Sequence, residues 1–112
     1  MKKLTSICVG LSFFLSICAL AEEHFIAGKE HAIAAVVHGA EGHTRILIEH
    51  AKAALEDTLE ASLTAKGVQK SHLEAAAKEL QVCLDLAGNG HIGAATIHAE
   101  AAEKHIKASE KK

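Results

Sequence analysis

His38-Gly39-Ala40-Glu41-Gly42-His43-Thr44 is a glycine-bearing break between two alanine-rich runs, and Gly88-Asn89-Gly90-His91 breaks the chain in the same way 48 residues later. Glycine weakens a helix interior and tolerates the backbone of a tight turn, so each break reads as a turn between two helices. Outward from the first turn, one helix is expected over about Glu22 to His38. A second is expected from about His43 to Lys66, with Gly67 as its C-terminal stop. Ser71-His72-Leu73-Glu74 fits a capping box and is expected to open a third helix running to Ala87. A fourth covers about His91 to Ser109, and Glu110-Lys111-Lys112 reads as a solvated tail. The chain has no proline, and alanine, the strongest helix former, is abundant.

The same shift of 48 aligns His50-Ala51 with His98-Ala99, Ala53-Ala54 with Ala101-Ala102 and His24 with His72. Two copies of one αα-hairpin, about residues 22–66 and 71–109, predict an all-α fold. Its expected architecture is an antiparallel four-helix bundle.

The histidines lie on a seven-residue grid. The first helix has His24, His31 and His38; the second has His43 and His50, then Asp57. The third has His72, then Glu79 and Leu86; the fourth has His91, His98 and His105. These twelve slots hold all nine histidines of the chain. A step of seven keeps successive slots within about 20° of one stripe. The apolar residues follow mainly one, four and five positions later, as in Phe25, Ala32 and Val36, or Leu47, Ile48, Ala51, Ala54 and Leu55. Leu73, Leu80, Cys83 and Leu84 keep the same phase, and so do Ile92, Ala95, Ala99 and Ile106. The imidazoles are therefore expected to flank the core, beside the groove between neighbouring helices.

Histidines seven apart on one helix are about 10.5 Å apart along its axis, too far to share an ion held by bonds of about 2.0–2.1 Å. A second ligand has to come from another helix. In an antiparallel hairpin, residues equidistant from the turn stand level. The first hairpin then pairs His38 with His43, His31 with His50, and His24 with Asp57. The second pairs His72 with His105, Glu79 with His98, and Leu86 with His91. Five of the six rungs carry two candidate ligands, all of them His/His or His/carboxylate. His24, His31, His38, His43, His50, His72, His91, His98 and His105 are thus the candidate metal ligands, with Asp57 and Glu79 as weaker ones. Imidazole suits Cu²⁺, Ni²⁺ and Zn²⁺, and the Irving–Williams order favours copper.

The N-terminus carries a different message. Met1-Lys2-Lys3, the mostly apolar run Leu4 to Cys18, and Ala19-Leu20-Ala21 before Glu22-Glu23 have the layout of a cleavable secretory signal peptide over residues 1–21. The remaining domain is 22–112. Thr5, Ser6, Gly10, Ser12 and Ser16 interrupt the run, which is short for a membrane anchor. Cys18 follows Ile17 rather than a small residue, which disfavours a lipoprotein. The 112 residues carry 12 basic and 14 acidic side chains; cleavage leaves 91 residues, ten basic against fourteen acidic, a charge of −4. Such a balance, with three Phe and no Trp or Tyr, offers neither an electrostatic footprint nor stacking platforms for nucleic acid. Cys83 alone remains after cleavage, so no internal disulfide can form. It reads as a small buried apolar residue, with a soft metal ligand or an intermolecular disulfide as the lesser readings.

Competing readings account for less. A histidine beside a helical core is commonly an amphipathic filler, but filler does not explain level pairing. A pH sensor is a second competitor, because imidazole titrates near 6.5 and stacked pairs would repel when protonated, an effect that would also accompany metal release. A coiled coil is disfavoured by apolar positions dominated by Ala and Gly. Among enzymes, no histidine has a Glu three residues before it, as a carboxylate-bridged di-iron bundle requires. His-Glu-x-x-His and the Cys-x-x-Cys-His of haem attachment do not occur. A non-enzymatic protein is expected. The alternative from another class is an exported helical adaptor that binds a protein partner along alanine-rich grooves.

The stretches His38 to Thr44, Glu49-His50-Ala51-Lys52, Gly90-His91-Ile92-Gly93-Ala94-Ala95-Thr96 through His98-Ala99, and Lys107-Ala108-Ser109-Glu110 resemble the small metal-binding protein family. The resemblance spans essentially the whole mature chain. It implies a periplasmic four-helix bundle binding several divalent metal ions, copper chiefly, for buffering, storage or protection from excess metal. Nickel, zinc and iron are further candidates, and a monomer without nucleic-acid or membrane partners is expected. The nine histidines occupy the family's grid, and Asp57, Glu79 and Leu86 stand where the family tends to repeat histidine.

Overall fold

The computed structural model describes the backbone from Lys2 to Glu110 and the side chains from Leu20 to Glu110. It is all-helical: α1 (Lys2–Ala40), α2 (Thr44–Thr64), α3 (Gly67–Gly88) and α4 (Ile92–Ser109), with no strand among the described residues. Helices α1 and α3 each pack against both α2 and α4. Among the described residues α1 and α3 do not touch, and α2 and α4 meet only marginally, so the four form a square bundle.

Alanine sets how closely the helices approach. The core cluster contains Ala32 and Ala35 of α1, Leu47, Ala51 and Ala54 of α2, Ala76, Leu80, Cys83 and Ala87 of α3, and Ala95, Ala99, Ala102 and Ile106 of α4. Phe25, Val36, Ile48, Leu55, Leu84, Leu86 and Ile92 pack around it, half-buried. Among the described residues few large side chains are fully enclosed; Leu47, Leu73, Leu80 and Ile106 are the apolar ones besides Cys83. The buried face of α1 reads Gly28, Ala32, Ala35, Gly39. A Cβ at Gly39 would overlap Thr96 Oγ1 of α4 and come within 2.7 Å of Leu47 Cδ1 of α2, so glycine there lets three helices converge. Such a core is tightly packed but small, and its apolar gain per residue is modest.

Both hairpin turns have the same construction. His43 N–H donates to the His38 carbonyl at 2.9 Å and Gly42 N–H to the Gly39 carbonyl at 3.1 Å. In the second turn His91 N–H donates to Leu86 at 2.8 Å and Gly90 N–H to Ala87 at 3.1 Å. These are the two bonds of a Schellman ending, which needs a left-handed residue where Gly42 (φ 80°) and Gly90 (φ 85°) stand. That ending normally brings two apolar side chains together across the turn. Here the two positions are His38 and His43 in one turn, Leu86 and His91 in the other.

Three expected boundaries are corrected. Helix α1 begins at Lys2 rather than near Glu22, because nothing in Ala19-Leu20-Ala21-Glu22 interrupts a helix. Helix α2 ends at Thr64, two residues before Lys66; Ala65 and Lys66 are extended and Gly67 (φ 59°) turns the chain. Helix α3 then opens at Gly67, four residues ahead of the Ser71 capping box. Ser71 Oγ instead donates back to the Gly67 carbonyl at 3.3 Å, the bond of a serine inside a helix. The side chains of the apolar run Leu4 to Cys18, Cys8 included, lie outside the described residues, as do Met1, Lys111 and Lys112. Among the described residues, no helix is long and apolar enough to cross a membrane.

Candidate metal centres

The heptad positions lie along the rims of the core. His24, His31, His38, His50, Asp57, His72, Glu79, Leu86, His98 and His105 are half-buried, while His43 and His91, at the turns, are exposed. Their burial follows from the phase of the helices: a residue one position before a core residue points into the groove beside it.

Helices α1 and α2 bring grid residues together at three levels. His24 Nδ1 lies 2.8 Å from Asp57 Oδ1, His31 Nδ1 lies 3.0 Å from His50 Nδ1, and His38 Nδ1 lies 3.4 Å from His43 Nδ1. Helices α3 and α4 do so at two: His72 Nδ1 is 3.2 Å from His105 Nδ1, and His98 Nδ1 is 2.6 Å from Glu79 Oε2. At the sixth level the Leu86 side chain has no ligand atom, and the bond from His91 N–H to the Leu86 carbonyl noted above joins the two residues through the backbone.

These spacings have a chemical meaning. Two nitrogens bound to one ion at about 2.0–2.1 Å stand about 2.9 Å apart at a right angle and about 3.3 Å apart at the tetrahedral angle. The His/His separations of 3.0, 3.2 and 3.4 Å match that range closely. An ion can therefore take both ring nitrogens of a rung while the helices stay where they are. Without an ion, one ring of each pair donates its Nδ1–H and the other accepts. Ligation needs both Nδ1 lone pairs, so ions and protons compete for the same atoms.

The first turn adds a third donor. Glu41 Oε2 lies 3.4 Å from His43 Nδ1, and single ligand atoms from His38, Glu41 and His43 all lie within 4.8 Å of one another. Below this cluster the His50 ring lies parallel to that of His38, with centroids 5.5 Å apart and planes inclined by 3°. His50 also faces His31 at 5.3 Å, so four imidazoles run unbroken along the α1–α2 groove.

The family model for small metal-binding protein matches residues 1–109. The chain belongs to that family. No curated protein matches it. Membership in a metal-binding family gives the His/Glu cluster a function consistent with its geometry.

Glu41 was not among the family-grid residues singled out from the sequence, because it sits off the seven-residue period. The signal that finds it is the turn itself, which wraps the chain so that a residue between two paired histidines points back at them. The second turn has Asn89 at the matching place, and Asn89 Nδ2 donates to the Asp85 carbonyl at 3.0 Å. No group of three ligands involving His91 occurs among the described residues. Cys83 is fully buried, and burial pushes its thiol up to about 11, so in the metal-free protein it is protonated at neutral pH.

Two rungs titrate in opposite senses. The hydrogen bond to Asp57, with the charges of Asp57, Glu60 and Glu23, raises His24 above its ordinary 6.5, outweighing desolvation. Burial, then the charges of His31 and His38, lower His50. With metal removed by a chelator, the His24–Asp57 contribution is complete below about pH 6.5 and fades as pH rises through the raised value. The His50 environment works the other way, costing stability as pH falls below about 6.5. Asp57→Asn should therefore destabilise the metal-free protein more near pH 5.5 than near pH 8.5, read by thermal melts. A loss independent of pH would show that the contact does not depend on imidazolium (both pH settings roughly one unit or more from the ordinary value).

Proposed function

We propose that this chain is exported to the periplasm, loses residues 1–21, and takes up several divalent transition-metal ions, copper first, at ligands paired across neighbouring helices. The roles that fit are buffering, storage or detoxification of metal, by a non-enzymatic monomer. In this reading each antiparallel hairpin is one copy of the repeated unit, and its rungs are sites of graded strength. The observation that carries the reading is the 3.0–3.4 Å separation of Nδ1 atoms in three independent His/His pairs. Copper comes first because His/His and His/carboxylate sites follow the Irving–Williams order. His31/His50, His72/His105 and His38/Glu41/His43 supply the nitrogen-rich end of the ladder. His24/Asp57 and His98/Glu79, with an oxygen donor each, bind harder ions or hold copper less tightly. Leu86 leaves His91 as a weak outlier.

The adaptor reading has less to draw on, since Ala51, Ala54, Ala95 and Ala99 are enclosed between the helices rather than lining an open groove. Calorimetric titration of the mature protein with Cu²⁺ at neutral pH separates the two. Several ions should bind tightly, and the pair His31→Ala with His50→Ala should remove at least one of them. Unchanged stoichiometry and affinity in that double variant would overturn ligation by the rungs.

A further inference from the structure

We propose that removal of the leader creates a metal site absent from the precursor: the new amino terminus Glu22-Glu23-His24, a four-nitrogen chelate for Cu²⁺ or Ni²⁺. The inference rests on the cleavage after Ala21 proposed above and goes beyond the paired rungs. With histidine in third place, the terminal amine, the amide nitrogens of Glu23 and His24, and His24 Nδ1 can close around one ion. They form two five-membered rings and one six-membered ring in a plane. A planar set of nitrogens is the geometry that Cu²⁺ and Ni²⁺ prefer and Zn²⁺ does not. Both amides must carry a proton to lose, and the chain contains no proline to prevent it.

The fold explains why cleavage is the switch. Helix α1 runs unbroken through this segment, so the N–H groups of Glu23 and His24 are committed to the carbonyls four residues earlier, those of Ala19 and Leu20. A cut after Ala21 removes those acceptors and leaves the first N–H groups of the shortened helix without partners. The two amides the chelate needs are among them. Unwinding that turn exposes nothing from the core: Glu22 and Glu23 are already exposed, the His24 side chain is 38% exposed, and the first buried residue after Glu22 is Gly28. His24 Nδ1 is the atom now bonded to Asp57 at 2.8 Å, so the first rung and the terminal chelate are alternative uses of one nitrogen. The chelate offers four nitrogens against the rung's one nitrogen and one oxygen, which favours it for copper and nickel. On binding, the terminal ammonium and the two amides release their protons to solvent. The ion keeps its charge of 2+, and the two amide anions neutralise it.

The test uses the exported, processed protein, its first residue established by intact mass, loaded with one equivalent of Ni²⁺ at neutral pH. Planar four-nitrogen Ni²⁺ is diamagnetic, whereas Ni²⁺ in a six-coordinate site of imidazole, carboxylate and water is paramagnetic. The expected result is a diamagnetic first equivalent with sharp proton resonances. It should be lost on inserting a glycine between Glu22 and Glu23, on acetylating the terminus, or in His24→Ala. It should persist in Asp57→Asn, which breaks the rung and spares the chelate. A paramagnetic first equivalent on a chain that starts at Glu22 overturns the terminal chelate and leaves the leader reading intact. A mass that places the cut elsewhere overturns the leader reading, and this site with it.

Discussion

Each bridging site filled by Cu²⁺ should raise the melting temperature of residues 22–112 by about 15–30 °C. An ion at a thousand times its dissociation constant stabilises the folded state by about 4 kcal/mol per site. A domain of this size melts about 4–8 °C higher for each kcal/mol. The effect requires that the unfolded chain bind poorly. That condition holds for ligands such as His31 and His50, 19 residues apart in the chain, which the fold brings to 3.0 Å. It also requires both ring nitrogens to be free of protons, so the stabilisation should vanish as pH falls through about 6, where imidazoles become charged. Melts followed by circular dichroism, with and without Cu²⁺, at neutral and mildly acid pH, give the comparison. Equal melting temperatures at saturating copper and neutral pH would show that no ion bridges helices.

The ladder was legible in the sequence because two independent periodicities converge on it. The step of seven sets the stripe on each helix, and the glycine turns set the register between helices, so His31 and His50 could be paired from their positions about the first turn. The centre of that register lies between Ala40 and Glu41, from which His31 and His50 are equidistant; both inputs are local, and neither depends on how the two hairpins pack. What the sequence hid was non-periodic. Glu41 joins His38 and His43 only because the Schellman turn folds the chain back at Gly42, and no spacing rule marks that residue. Ser71-x-x-Glu74 misled because a serine followed three residues later by glutamate also occurs inside helices. There the hydroxyl bonds backwards, as it does to Gly67. The start of α1 was hidden for another reason: Ala19-Leu20-Ala21 stands out for its likeness to a cleavage site, a pattern that carries no helix-breaking residue, and the helical backbone runs through it.

Leu80→Ala should be among the most damaging single changes to the metal-free protein. Leu80 is fully enclosed in a core otherwise built largely from alanine, and truncating a buried leucine costs about 2–5 kcal/mol. A mature domain of this length has a total stability of roughly 5–14 kcal/mol at best, and an alanine-rich core places it at the low end. The control is Leu63→Ala, 71% exposed, which should shift stability by less than about 0.5 kcal/mol. Copper should rescue the Leu80 variant only in part, and the topology says which part. Every rung lies within a hairpin, between α1 and α2 or between α3 and α4, whereas Leu80 belongs to the cluster that all four helices share. Ions can hold each pair of helices together but cannot hold one pair against the other. The copper-loaded variant should therefore regain helicity while melting over a broader range than the copper-loaded parent. A full return to the parent's sharp transition would mean that ions also tie the hairpins to each other, contrary to the arrangement of the rungs.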